Sequence, residues 1–93
     1  MNNPTSLQKR RFARVADIGC IICGGIAEIH HCGTSMGLRK NHDLVIPLCH
    51  NHHRSAGHGV SIHAGKKAWE AIHGTEQELL EKVSKMVDNV FPL

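Results

Sequence analysis

The sequence predicts a small α+β domain pinned by a metal ion: a β-hairpin and a short helix, with further helices on either side. Three observations predict it. Two ligand pairs, Cys20-x-x-Cys23 and Cys49-x-x-His52, are separated by residues 24 to 48, about one hairpin. Two short apolar runs, "AEIHH" and "LVIPLC", fall inside that interval. Helical patterns with their own start and stop signals bracket it.

The elements follow in order. Thr5 with Gln8 forms a capping-box pattern, and "LQKRRFARVA" then reads as a basic helix ending near Gly19. "CIICGG" is a tight turn. "AEIHH" is a short strand. "CGTSMGLRKNHD" holds two glycines and reads as a loop. "LVIPLC" is a second strand, with Pro47 near its end or at an edge. "HNHHRSAG" reads as a short helix stopped by Gly57, and "GHGVSIHAG" as an irregular connection. "KKAWEAIHG" is a helix closed by Gly74. Thr75 with Glu78 is a second capping box. Leu79, Val83, Met86 and Val90 then share one helical face, which packs on the core. The 93 residues are expected to form one domain. It comprises a basic N-terminal helix (1–19), a knuckle with the ββα core (20–57), and packing helices (58–93).

Composition explains why a metal is needed. The aromatic residues are Phe12, Trp69 and Phe91 alone, and a core so poor in large side chains stabilises a small domain marginally. Four cysteines and nine histidines are the obvious staple. No run of about 18 apolar residues exists, so no membrane span is expected. "MNNPTSLQKRRF" has no apolar run after its charges and does not read as a secretory signal. A cytoplasmic location is expected, where reduced thiols favour metal over disulfide.

The net charge of +3 hides an asymmetry. Residues 1–67 carry nine Lys/Arg against Asp17, Glu28 and Asp43, a balance of +6; residues 68–93 balance at −3. A basic body suggests a polyanionic partner, most often nucleic acid, although a solvated basic face would look the same.

Cys20, Cys23, Cys49 and His52 make the four-ligand set that a structural zinc takes tetrahedrally. Cys32 is left over and reads as a packed or loop thiol. A thioredoxin-like role for Cys20-x-x-Cys23 lacks the βαβ setting it needs. The remaining histidines suggest a second site. His30 and His31 are strand neighbours and face opposite sides, so one can hold a metal while the other meets a substrate. His53 follows a zinc ligand and points about 100° away from it on a helix. The hairpin brings His53 towards His30, with His63 as a third ligand in the following loop. His42, His50, His58 and His73 read singly as surface residues.

The Cys-x-x-Cys knuckle, the His-His pair, "PLC-x-x-H-H" and the ββα order resemble the HNH endonucleases, also called ββα-metal or His-Me finger nucleases. From about Phe12 to Leu80 the chain is similar to the nuclease domain of the bacteriophage recombination-enhancement nucleases, which depend on a RecA filament. The literal string "HNH" at 50–52 is a coincidence. The resemblance implies that His31 is the general base and that His30 and His53 hold the active-site metal. His63 in "SIHAG" matches a further histidine of the phage subgroup. The residue that orients the base falls at Asp43 or Leu44, with Asp43 preferred.

The resemblance implies a metal-dependent DNA endonuclease, phage- or prophage-encoded and linked to recombination, with DNA and a RecA-type recombinase filament as partners. His31, neutral, would take a proton from water attacking phosphorus. A divalent ion, Mg²⁺ or Mn²⁺ (with Zn²⁺ able to replace it in a crystal), would stabilise the developing charge. Arg39, Lys40 and Arg54 near the site, and Lys9, Arg10, Arg11 and Arg14 on the first helix, would hold phosphates without reading bases. The alternative is a non-catalytic zinc-stabilised module that binds DNA or protein. It uses the four zinc ligands but gives no reason for the His30–His31 pair.

Overall fold

A computed structural model describes residues 3–33 and 41–90. Arg39 and Lys40 lie outside the described residues. The order is helix α1 (Ser6–Ile18), strand β1 (Glu28–His31), strand β2 (Val45–Leu48), a π-helical turn (Asn51–Ser55), a 3-10 turn (Ile62–Ala64), helix α2 (Lys66–His73) and helix α3 (Glu76–Val90).

α1 starts where its cap dictates. Thr5 Oγ1 accepts the Gln8 N–H at 3.1 Å, and the Gln8 side-chain oxygen accepts the Thr5 N–H at 2.8 Å. Together they satisfy two donors that a helix start leaves without partners. The helix stops at Gly19, whose φ is +86°. A side chain there would also bring a Cβ to 2.8 Å from the Gly24 carbonyl oxygen. Only glycine meets both demands.

The knuckle then folds back on itself. Cys20 N–H donates to Gly25 O and Gly24 N–H to Cys20 O, each at 2.8 Å. Ile21 N–H donates to Pro47 O at 2.9 Å, which ties the knuckle to the second strand. β1 and β2 pair antiparallel, with His30 opposite Ile46 and His31 opposite Val45. Pro47 sits within β2, which a two-stranded sheet allows because every strand is an edge. All four β2 residues are buried. α1 and α3 cover this hairpin and each other. Val15, Val45, Ile46, Leu48, Trp69 and Val83 are fully buried at the centre.

Three expectations need correcting. The short helix over "HNHHRSAG" is a π-helical turn of five residues, wider than an α-helix. It is closed from outside: the buried Ser61 hydroxyl accepts the Ala56 N–H at 2.7 Å and donates to Asn51 O at 2.5 Å. The buried stripe of α3 runs Glu76, Leu79, Val83, Val87, not Met86 and Val90. Steps of four after Leu79 keep to the face that meets α1, and Val90 at the helix end is 61% exposed. His42, read as a surface residue, is buried at 7% exposure, wedged between Phe12 and His31.

Candidate active site

The fold brings the two ligand pairs together. The donor atoms of Cys20, Cys23, Cys49 and His52 all lie within 4.8 Å of one another. Cys23 Sγ and Cys49 Sγ are 3.8 Å apart, and His52 Nδ1 is 3.7 Å from Cys20 Sγ and 3.1 Å from Cys49 Sγ. Zn–S bonds of about 2.3 Å at tetrahedral angles put two sulfurs about 3.8 Å apart. This donor set therefore fits zinc, and the cluster can hold such an ion. His52 N–H also donates to Cys49 Sγ at 3.4 Å. Cys32 does not join. It is buried at 3% exposure, and burial, with the Glu76 carboxylate adding to it, pushes its thiol up to about 12.

His53, next in sequence, points away to a second cluster. The ring nitrogens of His30, His53 and His63 also fall within 4.8 Å of one another. His53 Nε2 and His63 Nε2 are 2.9 Å apart, and the His30 ring stands edge-on to both. Burial pushes the pKa of His53 and of His63 below the usual histidine value, which favours the neutral form that binds a metal.

Carboxylates stand behind two of the three rings. Glu28 Oε1 lies 2.5 Å from His53 Nδ1, and Glu76 Oε2 lies 2.6 Å from His30 Nε2. His30 Nδ1 is buried and without a hydrogen-bond partner among the described residues. A histidine held by a carboxylate on one nitrogen, with the other nitrogen open, is the arrangement that fixes metal-ligating imidazoles. Hydrogen bonds with His53, and then with Arg54, hold Glu28 below the usual carboxylate range. For Glu76, burial pushes the pKa up. Hydrogen bonds from His30, Lys66 and the Gly33 N–H outweigh it and bring the pKa down to about 2.

A cleft of about 280 Å³ opens over this cluster, lined by His30, His31, His63 and Lys66 among others. His31 ends β1 and so reaches the cleft although it faces away from His30. Its Nε2 is 2.9 Å from His42 Nδ1, and the Phe12 ring packs edge-on against both histidines. Asp43, expected to orient His31, is exposed, and its side-chain Oδ1 accepts the Gln8 side-chain N–H at 3.1 Å. Leu44, the other choice, is 40% exposed and sends its carbonyl to the Cys32 N–H at 2.8 Å.

The basic residues are spread around the site. Arg54 is half exposed and donates through Nε to Glu28 Oε1 at 3.0 Å. Lys9, Arg10 and Arg14 are exposed on α1, whereas Arg11 is half-buried with Nη1 shielded from solvent. Sequence reading missed Glu28, Glu76, His42 and Lys66. Glu28 carried a signal, since residues i and i+2 of a strand share a face and Glu28 is two before His30. Glu76 carried none, because it reads as an ordinary first-turn acid and lies 46 positions from His30.

Among the described residues three groups could hold a metal ion: the Cys20–Cys23–Cys49–His52 set, the His30–His53–His63 trio, and His30 with Cys32 and Glu76; the chain is a small helix-and-hairpin protein with candidate metal sites. Residues 4–88 match the family described as recombination enhancement, RecA-dependent nuclease, and the chain belongs to that family. The family's description is that of a nuclease, hence a hydrolase, acting in recombination. No curated protein matches the chain with significance. Among the described residues no helix is long and apolar enough to cross a membrane.

Proposed function

We propose that this chain is an HNH-type, metal-dependent DNA endonuclease that acts with a RecA-type filament. Its fold would be of the ββα-metal kind, held by a structural zinc on Cys20, Cys23, Cys49 and His52. The observation that carries the reading is the His30–His53–His63 cluster. Two of its rings are fixed by carboxylates, and it opens on a cleft that His31 also lines. The non-catalytic zinc module has no use for that arrangement.

His30, His53 and His63 would hold a divalent ion, Mg²⁺ or Mn²⁺, and the ion would supply charge stabilisation at the phosphate. His31 would act as general base. Its imidazole lines the cleft, with Nε2 2.9 Å from His42 Nδ1. His42 rather than Asp43 is then the side chain against the base. Lys9, Arg10, Arg14 and Arg54 would hold the DNA backbone. Few aromatic side chains are present to stack on bases, so sequence preference should be weak.

A plasmid-nicking assay in Mg²⁺ or Mn²⁺, with and without a RecA filament, tests the reading. Cleavage that needs the metal and vanishes in His31→Ala is the expected result. A wild-type protein that binds DNA but never cuts it under any of these conditions would return the chain to the non-catalytic module.

A further inference from the structure

The two carboxylates behind the histidine cluster each do a second thing. Glu28 holds His53 and also Arg54; Glu76 holds His30 and also Lys66, whose Nζ is 2.9 Å from Glu76 Oε1. The two sets differ in where the cation stands. Lys66 lines the cleft itself, and it is the one Lys or Arg among the described lining residues. Its side chain is 52% exposed, while Glu76 beneath it is 10% exposed. Glu76 does not depend on Lys66 for a partner, since it already accepts from the Gly33 N–H at 3.0 Å and contacts His30. An ammonium carries three donors, and one is spent on Glu76. The rest stand at the rim of a cleft, held within one carboxylate of a candidate metal ligand.

We propose that Lys66 is a substrate-binding residue of this cleft, contacting a DNA phosphate beside the one to be cut, and that Glu76 places it there with the same carboxylate that holds His30. The inference rests on the nuclease reading and adds a residue to it. Its chemistry is that of a point charge on a phosphate oxygen, with no base recognition. A lysine that served only as counter-ion to Glu76 would matter to stability and not to DNA.

The test compares wild type, Lys66→Met and Lys66→Arg on duplex DNA, with and without a RecA filament. Binding is measured across a salt series and cleavage in Mn²⁺, with melting temperature recorded for each protein. A flanking-phosphate contact is felt equally in ground and transition states. Lys66→Met should therefore raise KM about tenfold with kcat changed less than about threefold. The slope of log affinity against log salt should fall by about 1, and Lys66→Arg should recover most of both. A Lys66→Met protein that melts lower but keeps KM and salt slope overturns the proposal in favour of a counter-ion role. If wild type binds DNA but never cuts, the nuclease reading fails by itself, and the salt slopes still decide for or against the phosphate contact. Absence of DNA binding at low salt overturns both.

Discussion

His52 and His53 are neighbours on one π-helical turn and serve two different clusters. On the His52 side, four ligands converge, three sulfurs and one nitrogen, and none of them lines the cleft. On the His53 side there are three histidines, two carboxylates bonded to them, and a cleft lined by His30, His63 and Glu76. A four-ligand set saturates a tetrahedral ion and can only hold the chain together; a three-ligand set leaves positions for water and phosphate. The difference lies in what completes each shell: for the first, the protein alone; for the second, solvent or substrate.

The largest effect should come from opening the closed cluster. Cys49→Ser should unfold the protein, because binding of a structural zinc is worth roughly 10 kcal/mol to a small fold with a small core. Circular dichroism and metal analysis would show it. An unchanged melting temperature and zinc content would remove the structural half of the comparison.

Next comes the chemistry at the open cluster. His31→Ala should slow nicking by ~10²–10⁴ and leave fold, metal content and DNA binding nearly intact. Added Mn²⁺ should not rescue it. His53→Ala should also stop nicking, but by losing the second metal, and excess Mn²⁺ should restore part of the rate. A Mn²⁺ titration of both variants separates base from ligand; identical responses would mean that the two histidines share one role.

A smaller loss is expected one step behind the ligands. Glu28→Gln keeps the shape and removes the charge that fixes His53. Affinity for the active-site metal should drop about 10–100-fold, with zinc in the four-ligand cluster unaffected. Titrating Mn²⁺ while counting tightly held zinc reads both at once. Loss of zinc together with Mn²⁺ would show that the two clusters are coupled through the π turn.

The smallest expected change is on α1. Arg10→Ala should weaken DNA binding uniformly across sequences and lower the salt slope by about 1, with kcat unaltered. A sequence-dependent loss would show that α1 reads bases.

Much of this arrangement could be read before any coordinates. Local chemistry wrote the helix ends: Thr5–Gln8, Thr75–Glu78, Gly19 and Gly74 act within one turn of where they stand. Paired spacings brought out the four-ligand set, since two ligands three residues apart meet one ion in any tight turn. The histidine trio was legible because a hairpin must return the chain past His30. Other features depended on distance in sequence. The partner of His31 is set by how the segment before β2 packs on Phe12. That packing buries His42 and turns Asp43 out to Gln8, a choice that adjacent residues cannot announce. The α3 stripe ends at Val87 among the described residues, with Val90 one turn on 61% exposed. Glu76 and Lys66 reach the cleft only when the starts of α2 and α3 come together beside His30, joining residues 46 positions apart from His30 to Glu76. The sequence by itself thus determined which residue types can bind metal and which turns can form, because those are local properties. Tertiary packing alone decided which carboxylate stands behind which histidine, because burial of a charge is settled by the elements that close over it.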